Sequence, residues 1–110
     1  MHEMRMHLEP FSRIRTGSQI IESRLNDEKR QRIKVGDQLT FLLRPDFIEK
    51  EEVEVTELLH VPSFRELFAL RPLQEFGVDD LEKKVEEMRE YYFADEEAKY
   101  GVVGIKFKKI

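Results

Sequence analysis

Gly17-Ser18-Gln19-Ile20-Ile21-Glu22-Ser23-Arg24 is the run on which the reading of this chain turns. Gly17 is placed to end a preceding turn in a left-handed conformation, and a strand is expected from Ile20 to Leu25. Strand alternation puts Ile20, Glu22 and Arg24 on one face and Ile21, Ser23 and Leu25 on the other. Ile21 and Leu25 suit a core. Glu22 and Arg24 then stand together on the opposite face, beside the polar Gln19. An arginine positioned by a carboxylate is a useful recognition pair, since its planar fork meets a phosphate or a base edge. The plainer alternative is an ordinary exposed ion pair, worth under about 1 kcal/mol.

Upstream, Met4 to Leu8 alternates weakly and reads as a strand. Glu9-Pro10 starts a short helix, with proline suited to the first helical position and Phe11 and Ile14 on one face. Downstream, Asn26-Asp27-Glu28 opens a polar connection with one helical turn, running to Lys34. Val35-Gly36-Asp37 turns into the clearest strand, Gln38 to Arg44, with Leu39, Phe41 and Leu43 on one face. Pro45-Asp46 breaks it. Glu52 to His60 forms the next strand, with Val53 and Val55 inward.

The middle of the chain turns helical. Ser63-Phe64-Arg65-Glu66 matches a capping box, with Phe64, Leu67 and Phe68 as the apolar stripe and Pro72 closing the segment. A second helix is expected from Asp79 to Tyr92, with Leu81, Val85, Met88 and Tyr92 on its apolar face and Glu and Lys on the other. Asp95 to Tyr100 gives another turn, stopped by Gly101. A last strand runs from Val102 to Ile110, with Val103, Ile105 and Phe107 inward and Lys106 and Lys108 outward. This order suits one α+β domain over residues 1–110, a mostly antiparallel barrel or curled sheet whose last strand returns to pair near the first.

With 110 residues, one core is the default. No cysteine is present, so disulfides, thiolate metal sites and a cysteine nucleophile are excluded. No apolar run approaches a membrane span and the first residues lack a signal-peptide hydrophobic region, so the cytoplasm is the expected location. Charged residues make up 38% of the chain, against about 25% in an average soluble domain. That bias is expected of a heat-adapted protein, with a melting temperature above about 65 °C, and a short chain with much surface drifts the same way.

The net charge of -4 is unevenly spread. Residues 13–34 hold seven Arg and Lys against three acids, whereas residues 46–97 hold six against seventeen. Most of the surface therefore repels phosphate, while a local basic patch suits a short nucleic-acid segment; solvated charge on a stable domain is the plainer alternative. No G-x-G-x-x-G or phosphate loop is present, and His2, His7 and His60 lack metal-ligand spacing. No cofactor and no metal are expected. His60 reads as a surface or core histidine, and carboxylates such as Glu86 and Glu87 read as a solvated helix face.

Leu8-Glu9-Pro10-Phe11, Ile14, Gly17-x-Gln19-x-x-Glu22-x-Arg24 and Val35-Gly36-Asp37-x-Leu39-x-Phe41, with the closing Tyr100-Gly101-Val102-Val103-Gly104-Ile105, together resemble the ASCH domain family. The resemblance runs from about Met6 to Phe107. It implies a PUA-like β-barrel with inserted helices and RNA binding in a cleft beside the barrel. Gly17, Glu22 and Arg24 match the family pattern G-x-K-x-x-E-x-R, and Gln19 stands where lysine is usual.

Some members of this family are small amidohydrolases that deacylate modified cytidine with a lysine, a hydroxyl residue and a glutamate. Here the lysine position is Gln19, which exchanges no proton near neutral pH, and the hydroxyl position is Glu22. Glu75 or Glu66 is the candidate for the third group, and Lys29 or Lys34 for an amine entering from the connection. Binding is therefore expected ahead of hydrolysis, with Glu22 and Glu75 the weak catalytic candidates.

The expected binding residues are Gly17, Gln19, Glu22, Arg24, Lys29, Arg30, Arg32 and Lys34. The expected partner is RNA, as a short single-stranded or structured segment, or a nucleoside-like ligand. Tyr91, Tyr92 and Phe93 read as packing residues at a helix end, and Phe41 and Phe107 as core. An alternative of another class is a protein-interaction module using the acidic helix from Asp79 to Glu97.

Overall fold

The computed structural model describes residues 2–110. Strand β1 (His2–Met6) leads through helix α1 (Leu8–Thr16) to β2 (Ile21–Leu25). A 3₁₀ turn at Arg30–Arg32 precedes β3 (Gln38–Leu43) and β4 (Lys50–Val61). Helix α2 (Phe64–Leu70), a 3₁₀ turn at Leu73–Phe76, α3 (Leu81–Arg89) and α4 (Ala94–Tyr100) follow, and β5 (Val102–Lys109) closes the chain.

The five strands form one curled sheet, a half-barrel in the order β1-β3-β4-β5-β2. Three of its pairings are antiparallel, and β1 runs parallel to β3. The expectation that the last strand pairs near the first is corrected here: β5 lies between β4 and β2, and β1 is at the far edge. The reason is the alternation of β5 itself. Val103, Ile105 and Phe107 enter the core inside the curl, while Val102 enters the second core under the helices. A strand buried on both faces belongs inside a sheet, not at its seam.

The core inside the curl joins Phe11 and Ile14 of α1 to Met4, Phe41, Val53 and Ile105. Phe41 and Phe107 meet edge to face there, with ring centroids 5.2 Å apart. The second core packs Phe64, Leu67 and Phe68 of α2, and Val85 and Met88 of α3, against Ile21, Leu25 and Val102. Gly104 permits this closeness, because a Cβ at that position would lie 2.7 Å from Leu67 Cδ1.

Helix ends follow the expected chemistry with informative departures. Pro10 is the third residue of α1, not the first. That is tolerated, because every N–H of the first turn lacks an intrahelical partner. Ser63 caps α2 by accepting from Glu66 N, yet Glu66 Oε2 accepts from the Ser63 hydroxyl at 3.1 Å instead of reaching the backbone. Helix α3 is shorter than expected, capped by Asp80 and ending at Arg89. The expectation of a wholly solvated acidic face also fails at Glu97. That carboxylate is buried, accepts from Phe64 N at 2.8 Å and pairs with Arg89. A negative group at the start of α2 is favoured by the helix dipole and its free N–H groups.

Candidate functional site

Because β5 separates β4 from β2, the half-barrel leaves β1 and β2 as its two free edges, and the site forms between them. Gly17, at φ 85°, ends α1 in the left-handed region and donates to Ile14 O. The chain then doubles back, so Gln19 N donates to Arg13 O at 3.2 Å and β2 begins two residues later.

Gln19 is 3% exposed and uses both ends of its amide. Its Oε1 accepts from Arg13 Nε at 3.1 Å. Its Nε2 donates to Ile21 O and to Glu22 Oε1, both at 3.2 Å. A lysine could not accept from Arg13 and would set two cations together. The departure at position 19 thus has a partner at position 13. Gly77 makes room for both side chains: its φ is 75°, and a Cβ there would lie 2.8 Å from Arg13 Nε and 3.1 Å from Gln19 Cβ.

Glu22 and Arg24 share a face of β2 as alternation requires, but the pair is not the exposed one that spacing alone allowed. Their side chains are 11% and 16% exposed. Glu22 Oε2 accepts from Arg24 Nε and Nη2 at 3.2 and 3.1 Å, while Oε1 accepts from Gln19 Nε2 and Ser23 N. Arg24 Nη2 also donates to Arg5 O and Met6 Sδ on β1, each at 3.2 Å. Burial alone would lower the Arg24 guanidinium, but the charge of Glu22 and the contacts of Glu22 and Tyr92 outweigh it and hold it above its usual value.

Around this pair opens a cleft of about 460 Å³, within the range of about 300–1,000 Å³ common for ligand sites. Gln19, Glu22 and Arg24 line it. So do Arg5 and His7 from the β1 end, Arg13 of α1, and Lys84, Tyr91 and Tyr92 from the α3 side. Five cations and three carboxylates face the space. Among the described residues Arg5, Arg13 and Arg44 make no ion pair.

A second, smaller groove adjoins the cleft across Arg5, Arg24 and Arg44, and adds Lys29, Arg30 and Phe47. Phe47 holds φ 61°, rare for an aromatic residue, with its ring 5.1 Å under the Arg5 guanidinium. Of the residues expected to bind, Lys29 and Arg30 therefore lie in this groove. Arg32 and Lys34 are exposed and line neither space, and Gly17 acts at the turn. Lys29 and Lys34, the expected entering amines, are both absent from the cleft wall. Glu75 also lies off the cleft lining, paired with Lys106 at 3.3 Å, and Glu66 is exposed on α2.

Sequence reasoning missed Lys84, Arg13, Arg5 and Arg44. The helical pattern assigns Lys84 to an outward face of Glu and Lys, but it is 8% exposed. A signal was present: it sits three residues after Leu81 and four before Met88, on the apolar stripe. The aromatic cluster divides. Tyr92 packs against Phe64 with centroids 5.3 Å apart, whereas Phe93 is 74% exposed and Tyr91 stands at the cleft mouth, 6.3 Å from the His7 ring.

The sequence matches the ASCH domain family model over residues 4–110. No curated protein matches it. Among solved structures it is similar to the hypothetical protein PH0355, at 30% identity and a TM-score of 0.79, covering 98% of this chain and 99% of that one. It is also similar to protein PF0455 from Pyrococcus furiosus, at 30% identity and a TM-score of 0.71, covering 98% and 97%.

Proposed function

The chain belongs to the ASCH domain family, and on that footing we propose that it binds RNA, or a nucleotide-like ligand, in the cleft between β1 and β2. In this reading the curled sheet is a PUA-like half-barrel and the cleft is its recognition face. The observation that carries it is the surplus of unpaired cations in the cleft of a chain whose net charge is -4. Net repulsion elsewhere confines an anionic ligand to this space.

The arrangement suits a nucleotide in further ways. Glu22 fixes the Arg24 fork, and Gln19 supplies a rigid amide beside it. Tyr91 and His7 offer ring faces at the mouth, where bases stack. The neighbouring groove continues the positive lining through Arg44, Lys29 and Arg30, a track for flanking phosphates. No helix of the described residues is long and apolar enough to cross a membrane.

A titration of isotopically labelled protein with short single-stranded RNA and with cytidine, at low and moderate salt, tests this. Salt-sensitive amide shifts at Gln19–Arg24 and Lys29–Arg30 are expected with RNA. Arg44→Glu, on an exposed residue, should weaken binding and reduce the salt slope by about one. RNA affinity indifferent to both salt and Arg44→Glu would sink the reading.

Hydrolysis of acylated cytidine is a second reading with one observation in its favour, the amine that Lys84 brings to a cleft where Gln19 has none. Against it, both Glu22 oxygens already accept hydrogen bonds and Glu75 lies away from the cleft. Acetate release from an acetylated cytidine would favour it. The acidic helix as a protein-docking module is a third reading; its exposed face holds Glu82, Glu86 and Glu90.

A further inference from the structure

Lys84 stands in the cleft as a buried ammonium with little to hold it. Its side chain is nine-tenths buried, and its ammonium makes no hydrogen bond to the described residues. Within ion-pair reach it has a single carboxylate oxygen, Glu87 Oε1 at 3.8 Å, on a side chain 46% exposed. Glu22 and Arg13 line the same cleft: the carboxylate of Glu22 is already engaged by Gln19, Ser23 and Arg24, and Arg13 is a cation whose Nε is engaged only by Gln19. A buried ammonium without a hydrogen-bond acceptor is unfavourable, and a further cation in the same cleft adds to the penalty. Leu81, Val85 and Met88 show that an apolar side chain suits this face of α3.

We propose that Lys84 and Arg13 form a phosphate subsite, so that the cleft takes a phosphorylated nucleotide and not a neutral nucleoside. This rests on the nucleotide-binding reading and adds to it the group that the deep end of the cleft holds. A phosphate oxygen at Lys84 Nζ supplies the missing acceptor, and the same phosphate sits between the two cations and cancels their repulsion. Arg13 is oriented for it, since Gln19 holds its Nε and leaves the outer guanidinium nitrogens without a partner among the described residues. Charge-assisted bonds of this kind are the strong ones in a half-closed space. Arg24 is less suited to the task, because two of its nitrogens are held by Glu22, Arg5 and Met6.

The test uses the full chain, with inorganic phosphate, cytidine 5′-monophosphate, cytidine, and a short oligoribonucleotide with and without a 5′-phosphate. The monophosphate should bind at least about tenfold more tightly than cytidine, the difference of one charge-assisted contact set. That advantage should vanish in Lys84→Met, while the melting temperature of the variant stays level or rises. The Lys84 side-chain resonances of the wild type should move with inorganic phosphate alone.

The outcomes separate the two readings. If RNA fails to bind but phosphate moves Lys84, the subsite stands and the RNA reading falls. If RNA binds but the monophosphate keeps its advantage in Lys84→Met, the subsite is overturned and the RNA reading survives. Dependence of the oligonucleotide on its 5′-phosphate, lost in Lys84→Met, supports a strand end as the source; dependence of the mononucleotide alone supports a free nucleotide. Should Lys84→Met fail to fold, the wild-type resonances decide, and their indifference to phosphate overturns the proposal.

Discussion

Arg24 on β2 donates through Nη2 to the main-chain carbonyl of Arg5 on β1 at 3.2 Å, bridging the two edges that the half-barrel leaves unpaired. One side chain thus closes the seam and, through Glu22, organises the cleft that the seam contains.

Removing that side chain should be costly. Arg24→Ala strands the Glu22 Oε2 atom in a nearly buried place and opens the seam, with an expected loss of about 3 kcal/mol. Arg24→Lys should recover less than half of it, because a single ammonium cannot reproduce the fork that reaches Glu22 and Arg5 together. Urea unfolding of the three proteins checks this, and wild-type stability in Arg24→Lys would contradict it.

Gln19 and Arg13 should behave as a coupled pair. Gln19→Lys restores the usual family residue but places an ammonium against Arg13 and removes its acceptor, an expected loss of about 1–3 kcal/mol. Combined with Arg13→Met, the new lysine is free to pair with Glu22, and most of the loss should return. A double-mutant cycle gives the coupling. Additive effects would show that the two positions are independent.

Gly104→Ala drives a methyl group into Leu67 Cδ1, so overpacking should cost about 1–3 kcal/mol. The penalty should shrink in a Leu67→Val background, where the obstructing methyl is withdrawn. Equal penalties in both backgrounds, read from denaturant midpoints, would place the strain elsewhere.

The alkaline limb of stability carries a signature of Lys84. Burial lowers its ammonium below the ordinary lysine value, Glu87 of α3 and Glu22 of β2 pull it partly back, and Arg13 of α1 adds to the lowering. Between the lowered value and the ordinary one, the unfolded chain holds a proton that the folded chain has released. Stability from this group therefore rises with pH across that window, and the penalty is fully present below it. The rise should be absent from Lys84→Met. Comparing urea midpoints of the two proteins over the alkaline range cancels the contribution of the other lysines and the tyrosines. Parallel curves would show that Lys84 titrates as a solvated lysine.

Much of the fold was legible because it follows from local periodicity. Leu39 and Phe41, Val53 and Val55, and Val103, Ile105 and Phe107 alternate as buried strand faces, and all of them are core. The stripe of Leu81, Val85 and Met88 likewise marks α3, and Gly17 and Gly101 mark helix ends. Of the cleft, only Gln19, Glu22 and Arg24 were legible, the last two because they share a face of β2 by alternation. Arg5, Arg13, Arg44 and Lys84 come from four other segments, and nothing in local spacing relates them. Lys84 shows the limit most clearly, because a lysine on a mostly polar helix is assigned to solvent by default.

The sequence by itself determined the α+β content, the strand faces, the glycine stops after α1 and α4, the family pattern around Gly17, Glu22 and Arg24, and the local excess of positive charge. These depend on backbone preference and on residues within a turn or a strand of one another. The tertiary structure alone decided that β5 lies between β4 and β2, that the free edges β1 and β2 face each other, and that Arg24 joins them. It also decided that Lys84 points into the resulting space. Strand order is settled by burying two cores on the two faces of one sheet at once, a condition on the whole chain that no local window contains.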